Sequence, residues 1–180
     1  MKKTVLFTLA LCLLLSVTGC SVPEMPGAAT EPAEKIFTVE TYQLQLTADS
    51  SFQENTAGSF DLQITNGQCY ISIMAYSYID LPQDTTPADV YEMQNQDLFG
   101  KREHVTAVED TVTQAPSGAL VSYGLYSAER DGTKNYYATY LMDFPDGETF
   151  AWVLITSAPS YMEANREMLH NYVCSLTPIA

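Results

Sequence analysis

Cysteine, histidine, clustered charge and tyrosine are the side chains in this sequence that could carry chemistry. Cys20 stands within "LLLSVTGCSVPEMPGAATEPAEK", where an apolar run gives way to a proline-spotted acidic one. A core cysteine would not sit there, so its thiol is a candidate for modification. Cys69 and Cys174 are the thiols of the following domain, and an oxidising compartment would invite them to pair. Histidine occurs only at His104 and His170, too far apart for a metal-binding spacing. Ser117, Ser122 and Ser127 lack the glycine pattern of a nucleophile elbow. Gly-rich phosphate loops and paired CxxC motifs are absent from the sequence. No cofactor, metal or catalytic residue is therefore expected. Glu129, Arg130 and Asp131 cluster in "SAERDG", but at a hairpin tip, where solvated charge is the ordinary reading. Packing explains most of the 12 tyrosines. The sharper reading is an aromatic platform for a sugar or peptide, with Tyr126 and Tyr137 as cross-strand neighbours and Tyr76 and Tyr78 near the end of another strand.

Upstream of Cys20, Lys2 and Lys3 precede an apolar stretch of about 11 residues, Val5 to Leu15, and then the small residues of "SVTG". This is the layout of an export signal. A spanning helix needs about 20 apolar residues, so a permanent membrane helix is disfavoured. Val17-Thr18-Gly19-Cys20 resembles the lipobox of bacterial lipoproteins. The resemblance implies that residues 1–19 are removed, that the Cys20 thiol receives a diacylglyceryl group, and that the new amino terminus is often acylated too. The expected location is the extracytoplasmic face of a cell membrane, held there by lipid on Cys20. Two or more acyl chains give stable anchoring where one gives only marginal binding.

Loss of Lys2 and Lys3 would take the formal net charge from −14 to −16. So acidic a chain makes nucleic acid an unsuitable partner, because affinity there comes from basic groups neutralising phosphates.

Residues 20–35 read as a lipidated cysteine and flexible acidic linker rich in Pro, Glu, Ala, Gly and Thr. Extended at about 3.1 Å per residue, it reaches roughly 45 Å. Residues 36–180 read as one domain. A strand is expected over Thr41 to Thr47, a hairpin over Ser59 to Ser77, and three antiparallel strands between about Val105 and Ser157. Asn66-Gly67 predicts a type I′ turn, pairing Thr65 with Gln68 and placing Phe60, Leu62 and Ile64 with Cys69, Ile71 and Ile73. Asp131-Gly132 opposes Glu129 to Lys134. "FPDGE" opposes Phe144 to Glu148, which would put Phe150, Trp152 and Leu154 beside Tyr140, and Val153 and Ile155 beside Tyr126, Tyr137 and Leu141. Both faces of this sheet are apolar, so cover on both is expected. Helices are predicted over Pro87 to Phe99, capped by Thr86, and from Ser160 capped by Glu163 to a stop at Thr177-Pro178. The second carries a stripe of Met162, Leu169, Val173 and Leu176. Cys69 faces the core, whereas Cys174 stands well away from that stripe, so free thiols are expected.

The fold class is thus α+β: an antiparallel sheet of about six to seven strands with helices on both faces. The order of elements, and the ending "FAWVLITSAPSYMEANREMLHNYVCSL", resemble the small PsbP-like domains. These include the extrinsic photosystem II subunit, the Ran-binding Mog proteins, and bacterial lipoproteins of the DcrB and LpqN kinds. The resemblance implies a non-catalytic binding or assembly module, here of the cell envelope, with an envelope protein or a glycan as partner. An envelope hydrolase with an unrecognised site, or a structural spacer, are the alternatives. Loops Asp80 to Thr86 and Gln114 to Gly118 are the expected carriers of specificity.

Overall fold

The computed structural model describes residues 33–179, so the leader, Cys20 and most of the linker lie outside the described residues. Two antiparallel sheets form. The smaller has the order β1-β2-β10, from β1 (Glu34–Val39), β2 (Leu44–Asp49) and β10 (Thr177–Pro178). The larger has seven strands in the order β3-β4-β5-β9-β8-β7-β6. They are β3 (Gln53–Glu54), β4 (Leu62–Thr65), β5 (Cys69–Ser77), β6 (Glu103–Gln114), β7 (Leu120–Arg130), β8 (Thr133–Asp143) and β9 (Thr149–Ser157). Helix α1 (Pro87–Phe99) stands between β5 and β6, and α2 (Pro159–Cys174) follows β9.

The N-terminal region differs from expectation. The strand anticipated over Thr41 to Thr47 starts only at Leu44, because Glu40–Tyr42 form a 3-10 turn and Gln43 follows at a φ of 49°. The resulting hairpin pairs Glu34 with Asp49 and Lys35 with Ala48, so strand begins inside the predicted linker. The span from about Val105 to Ser157, expected to hold three strands, holds four, β6 to β9.

Turn chemistry sets each register. At Asp131-Gly132 both φ angles are positive, 53° and 73°, and Glu129 opposes Lys134 as expected for a two-residue turn. At Asn66-Gly67 only Gly67 has a positive φ. The Asn66 carboxamide oxygen accepts the amides of Gln68 and Cys69 at 3.0 and 3.1 Å, which widens the loop. Thr65 then pairs with Tyr70, two residues from the expected register, so the faces are kept: Leu62, Ile64, Ile71 and Ile73 are buried together. Phe60 falls outside β4 and packs with a different cluster. At Pro145-Asp146-Gly147 the Asp146 carboxylate accepts both the Glu148 and Thr149 amides, at 2.8 and 3.1 Å. This holds Thr149 at the turn, and the Phe144 amide bonds to its carbonyl instead of pairing with Glu148. The one-residue difference turns every β9 side chain over. Ala151, Val153 and Ile155 therefore join Tyr140 and Met142, and Phe150, Trp152 and Leu154 lie with Tyr137 and Leu141.

β9 is buried along nearly its whole length, and its alternate residues enter separate apolar clusters. Ala151, Val153 and Ile155 pack with Met162, Leu169 and Val173 of α2. Trp152 and Leu154 pack with Leu98 of α1, and Phe150 packs with Val90 of the same helix. Polar atoms pin α1 in place: Trp152 Nε1 donates to Asn95 Oδ1 at 3.1 Å, and the Tyr91 hydroxyl bonds with the buried Thr139 hydroxyl at 2.9 Å. The Thr86 and Asp89 capping box fixes the start of α1 as predicted. Helix α2 instead begins at Ala158 with Pro159 in the first position and no side-chain cap. Glu163 accepts from the Tyr136 hydroxyl at 3.3 Å rather than serving Ser160. Thr177-Pro178 does stop the helix, but also forms β10 beside Gln45 and Leu44.

Thr86→Ala is expected to lower the unfolding free energy by about 1 kcal/mol through loss of the cap. Leu169→Ala, which opens the main cluster, should lower it by roughly 2–5 kcal/mol. Urea denaturation of both variants checks the order.

Candidate functional site

The four tyrosines proposed as a platform lie against α1 rather than forming an open surface. Tyr137 is buried, with the Phe99 ring edge-on at 6.0 Å and the Arg102 guanidinium 4.6 Å above its ring. Tyr126 packs on Phe99 at 4.6 Å. Its ring also lies over Gly124, where a Cβ would come within 2.7 Å of it. Tyr76 stacks on Phe150 at 5.0 Å and receives a hydrogen bond from Gln94. Tyr78 meets the same phenylalanine edge-on and donates to Asp143 Oδ1 at 2.6 Å. Burial and this carboxylate hold the Tyr78 phenol well above its ordinary range.

A polar concavity lies elsewhere, between α2 and the β6–β7 pair. A groove of about 620 Å³ is lined by Glu109, Thr111 and Thr113 of β6, Tyr123 of β7, and Glu163, Arg166, Glu167 and His170 of α2. Strand pairing sets its floor, since Thr111 opposes Tyr123 and Glu109 opposes Leu125. Helix periodicity sets its wall, since positions 163, 166, 167 and 170 fall on one flank. Arg166 forms an ion pair with Glu109 and lies 5.8 Å from the Tyr123 ring centre. The His170 ring stands 5.8 Å from Tyr123 and 5.7 Å from Tyr140.

Tyr123 is only 4 % exposed, and its hydroxyl has no hydrogen-bond partner. Burial pushes this phenol up to about 12. A buried hydroxyl left unpaired costs about 1–3 kcal/mol. Around the end of the groove a second concavity of about 700 Å³ shares His170 and is lined by Gln114, Pro116, Ser117, Asn171, Cys174 and Ser175, among others. Ser117 Oγ is likewise buried and unpaired. One of the two loops expected to carry specificity, Gln114 to Gly118, thus borders a concavity, whereas Asp80 to Thr86 touches neither.

His170 Nε2 lies 3.4 Å from Cys174 Sγ. Burial raises the thiol, and burial followed by Arg166 lowers the imidazole. Both partners are thereby held neutral near pH 7, the reverse of the thiolate–imidazolium polarity that activates a cysteine. His104 is elsewhere: exposed, at a φ of 50°, with Nδ1 3.1 Å from Glu129 Oε2. Cys69 and Cys174 are both free and buried, and burial raises the Cys69 thiol to about 12. Cys174 is nearer the core than the stripe geometry implied: it is buried at the end of α2, joins the main apolar cluster and also lines the second concavity. Among the described residues no cluster of three His, Cys, Asp or Glu could hold a metal, and no helix is long and apolar enough to cross a membrane.

No protein-family model matches the sequence, and no curated protein matches it either. Solved structures do resemble the fold. Cyanobacterial PsbP from Synechocystis sp. PCC 6803 superposes with a TM-score of 0.59 at 8 % identity, over 91 % of this chain and 99 % of that one. LpqN of Mycobacterium tuberculosis, described as involved in cell envelope biogenesis, gives 0.58 at 13 % identity over 81 % and 91 %. The Ran-binding protein Mog1p of Saccharomyces cerevisiae gives 0.55 at 11 % identity over 81 % and 95 %. At such identities the likeness is one of fold: the described residues have a fold similar to those of PsbP and LpqN.

Tyr123→Phe should leave the fold intact and raise the unfolding free energy by about 1 kcal/mol, because it removes an unpaired buried hydroxyl. The lowered His170 pKa means that the unfolded chain binds more protons on the acid side of neutrality. Stability from this group is therefore present above about pH 6.5 and is lost as pH falls towards the depressed folded value. His170→Gln should flatten stability between pH 7 and 5, measured by urea unfolding at each pH. Unfolded, unreduced protein should take up one alkyl group at each of Cys69 and Cys174, read by mass.

Proposed function

We propose that the chain is a lipid-anchored lipoprotein of the cell envelope, held at the extracytoplasmic membrane face through Cys20, whose domain is a non-catalytic binding or assembly module. We take the layers to be α1 over one face of the seven-stranded sheet and α2 over the other, which agrees with the division of β9 side chains between two clusters. The observation that carries the reading is the groove beside α2, where a buried tyrosine hydroxyl stands without a partner among carboxylates, threonines and a histidine. An unpaired polar group in a concavity is what a ligand would satisfy. The fold agrees, since LpqN is described as acting in envelope biogenesis and Mog1p as Ran-binding. The ligand class is an envelope protein or glycan, and nucleic acid does not suit a chain of net charge −14.

An enzyme is the second reading, and the specific observation behind it is His170 in a groove with Glu163 and Glu167 and with a thiol in reach. The neutral state of that pair weighs against it. The lipoprotein reading is tested by the intact mass of the membrane-extracted protein, which should begin at Cys20 and carry acyl chains, and Cys20→Ala should be released from the membrane. The module reading is tested by placing a photoreactive residue at Glu167 and crosslinking in the native cells. Capture of an envelope component is expected; no capture, together with a turnover abolished by His170→Ala, would favour the enzyme.

A further inference from the structure

The two edges of the seven-stranded sheet are treated differently. At one, β3 is only two residues long, Gln53–Glu54. At the other, β6 runs for 12 residues, all of them exposed. A free edge strand is a template for another strand, and proteins usually blunt it by shortness, lysine, proline or a bulge. β6 contains neither Lys nor Pro. Its register shifts fall between Glu103 and Thr106 and between Ala107 and Glu109, leaving Glu109 to Gln114 in unbroken pairing with β7. That run is about 20 Å long at roughly 3.4 Å per residue.

The direction of its backbone groups follows from the β7–β8 hairpin. Arg130 and Thr133 flank the two-residue turn and form its closing hydrogen-bonded pair. Alternation then turns the backbone groups of Ser122 and Gly124 towards β8 and those of Tyr123 towards β6. Thr111, opposite Tyr123, bonds to β7. Asp110 and Val112, opposite Gly124 and Ser122, point their N–H and C=O groups away from the sheet.

We propose that this run is a docking edge for an extended segment of another protein bearing lysine or arginine side chains, which adds to β6 as an eighth strand. The proposal rests on the binding-module reading and names the partner's chemistry. Charge complementarity selects a basic segment. Asp110 lies on the run, Glu163 and Glu167 overlook the groove that the same strand walls, and the groove's lone basic residue, Arg166, is held by Glu109. Alternate side chains of an added strand would reach Glu163 and Glu167 on the α2 side and meet Asp110, Val112 and Leu120 on the other, the last two 62 % and 52 % exposed. A second copy of this chain fits less well, because each brings a net charge of −14 and an acidic run of its own.

The test titrates the full-length, membrane-extracted protein with three synthetic octapeptides: alternating lysine and valine, alternating glutamate and valine, and the lysine peptide N-methylated throughout. The N-methylated peptide keeps the charge and cannot pair as a strand, and it leaves the protein unaltered. The lysine peptide should bind and slow amide exchange at Asp110 and Val112, with the other two at least tenfold weaker. Val112→Pro removes an outward amide while sparing the β6–β7 ladder, a change that edges accept. It should weaken the lysine peptide at least tenfold with an unchanged circular dichroism spectrum. Failure of the lysine peptide to bind, equal binding by the N-methylated peptide, or unslowed exchange at the two amides would overturn the proposal. So would dimerisation that protects those amides without peptide. If crosslinking from position 167 still captures a component in that event, the module reading survives and only the docking edge falls.

Discussion

β9 has no wet side, and most of the molecule answers to that fact. Seven of its nine residues are buried, all but Thr149 and Thr156, and could not tolerate water without surrendering the apolar clusters they enter, so each neighbour is constrained by which alternate residue it must cover. Helix α1 cannot drift because Asn95 satisfies the indole N–H of Trp152 and Tyr91 satisfies Thr139, two polar groups that would otherwise be buried unpaired. Helix α2 is fixed by an apolar stripe, and that fixation leaves its polar flank projecting over β6 and β7. The groove is thus a by-product of how the centre of the sheet is covered. Apart from Tyr123, its residues are positioned by burial that they do not supply.

The sequence made some of this legible and hid the rest for identifiable reasons. Asp131-Gly132 is read correctly because a two-residue turn has little choice of register. The Thr86 capping box is equally local. The loop at Pro145 to Gly147 is misread because Asp146 adds side-chain acceptors that hold Thr149, and a single residue then exchanges the faces of β9. β1 escaped notice because Glu34 and Lys35 carry the composition of a linker while pairing as a strand. β6 was included in the expected strand run but not separated as a strand of its own, because its pattern, EHVTAVEDTVTQ, has no buried face to reveal a period of two. Without β6 the groove had no floor, so Glu109, Thr111 and Thr113 could not be named. His170 could be named, but its surroundings could not. The polar positions Glu163, Arg166, Glu167 and His170, spaced along one helix flank, were the signal available.

The tyrosines show how residue type and role separate. Tyr126 and Tyr137 are cross-strand neighbours as the register demands, yet they serve as the bed for Phe99 and Arg102. Tyr123, unremarkable in sequence, carries the orphaned hydroxyl. Aromatic count pointed to one side of the sheet, while unsatisfied polarity points to the groove.

The small sheet has a consequence for the order of assembly. β2 is flanked by the first strand of the domain and by its last, and the Thr47 amide bonds to the Ser175 hydroxyl across 128 residues of chain. The same hydroxyl lies 3.1 Å from the Thr47 carbonyl oxygen, and the Ile179 amide bonds to the Gln43 carbonyl. A contact of such sequence separation closes slowly because a long loop must be ordered first. A chain that emerges amino terminus first can build its central hairpins early, but β2 keeps one edge open until the final residues arrive. Loss of the residues that form β10 would therefore leave a nearly finished domain with β2 paired to β1 alone and its other edge unpaired.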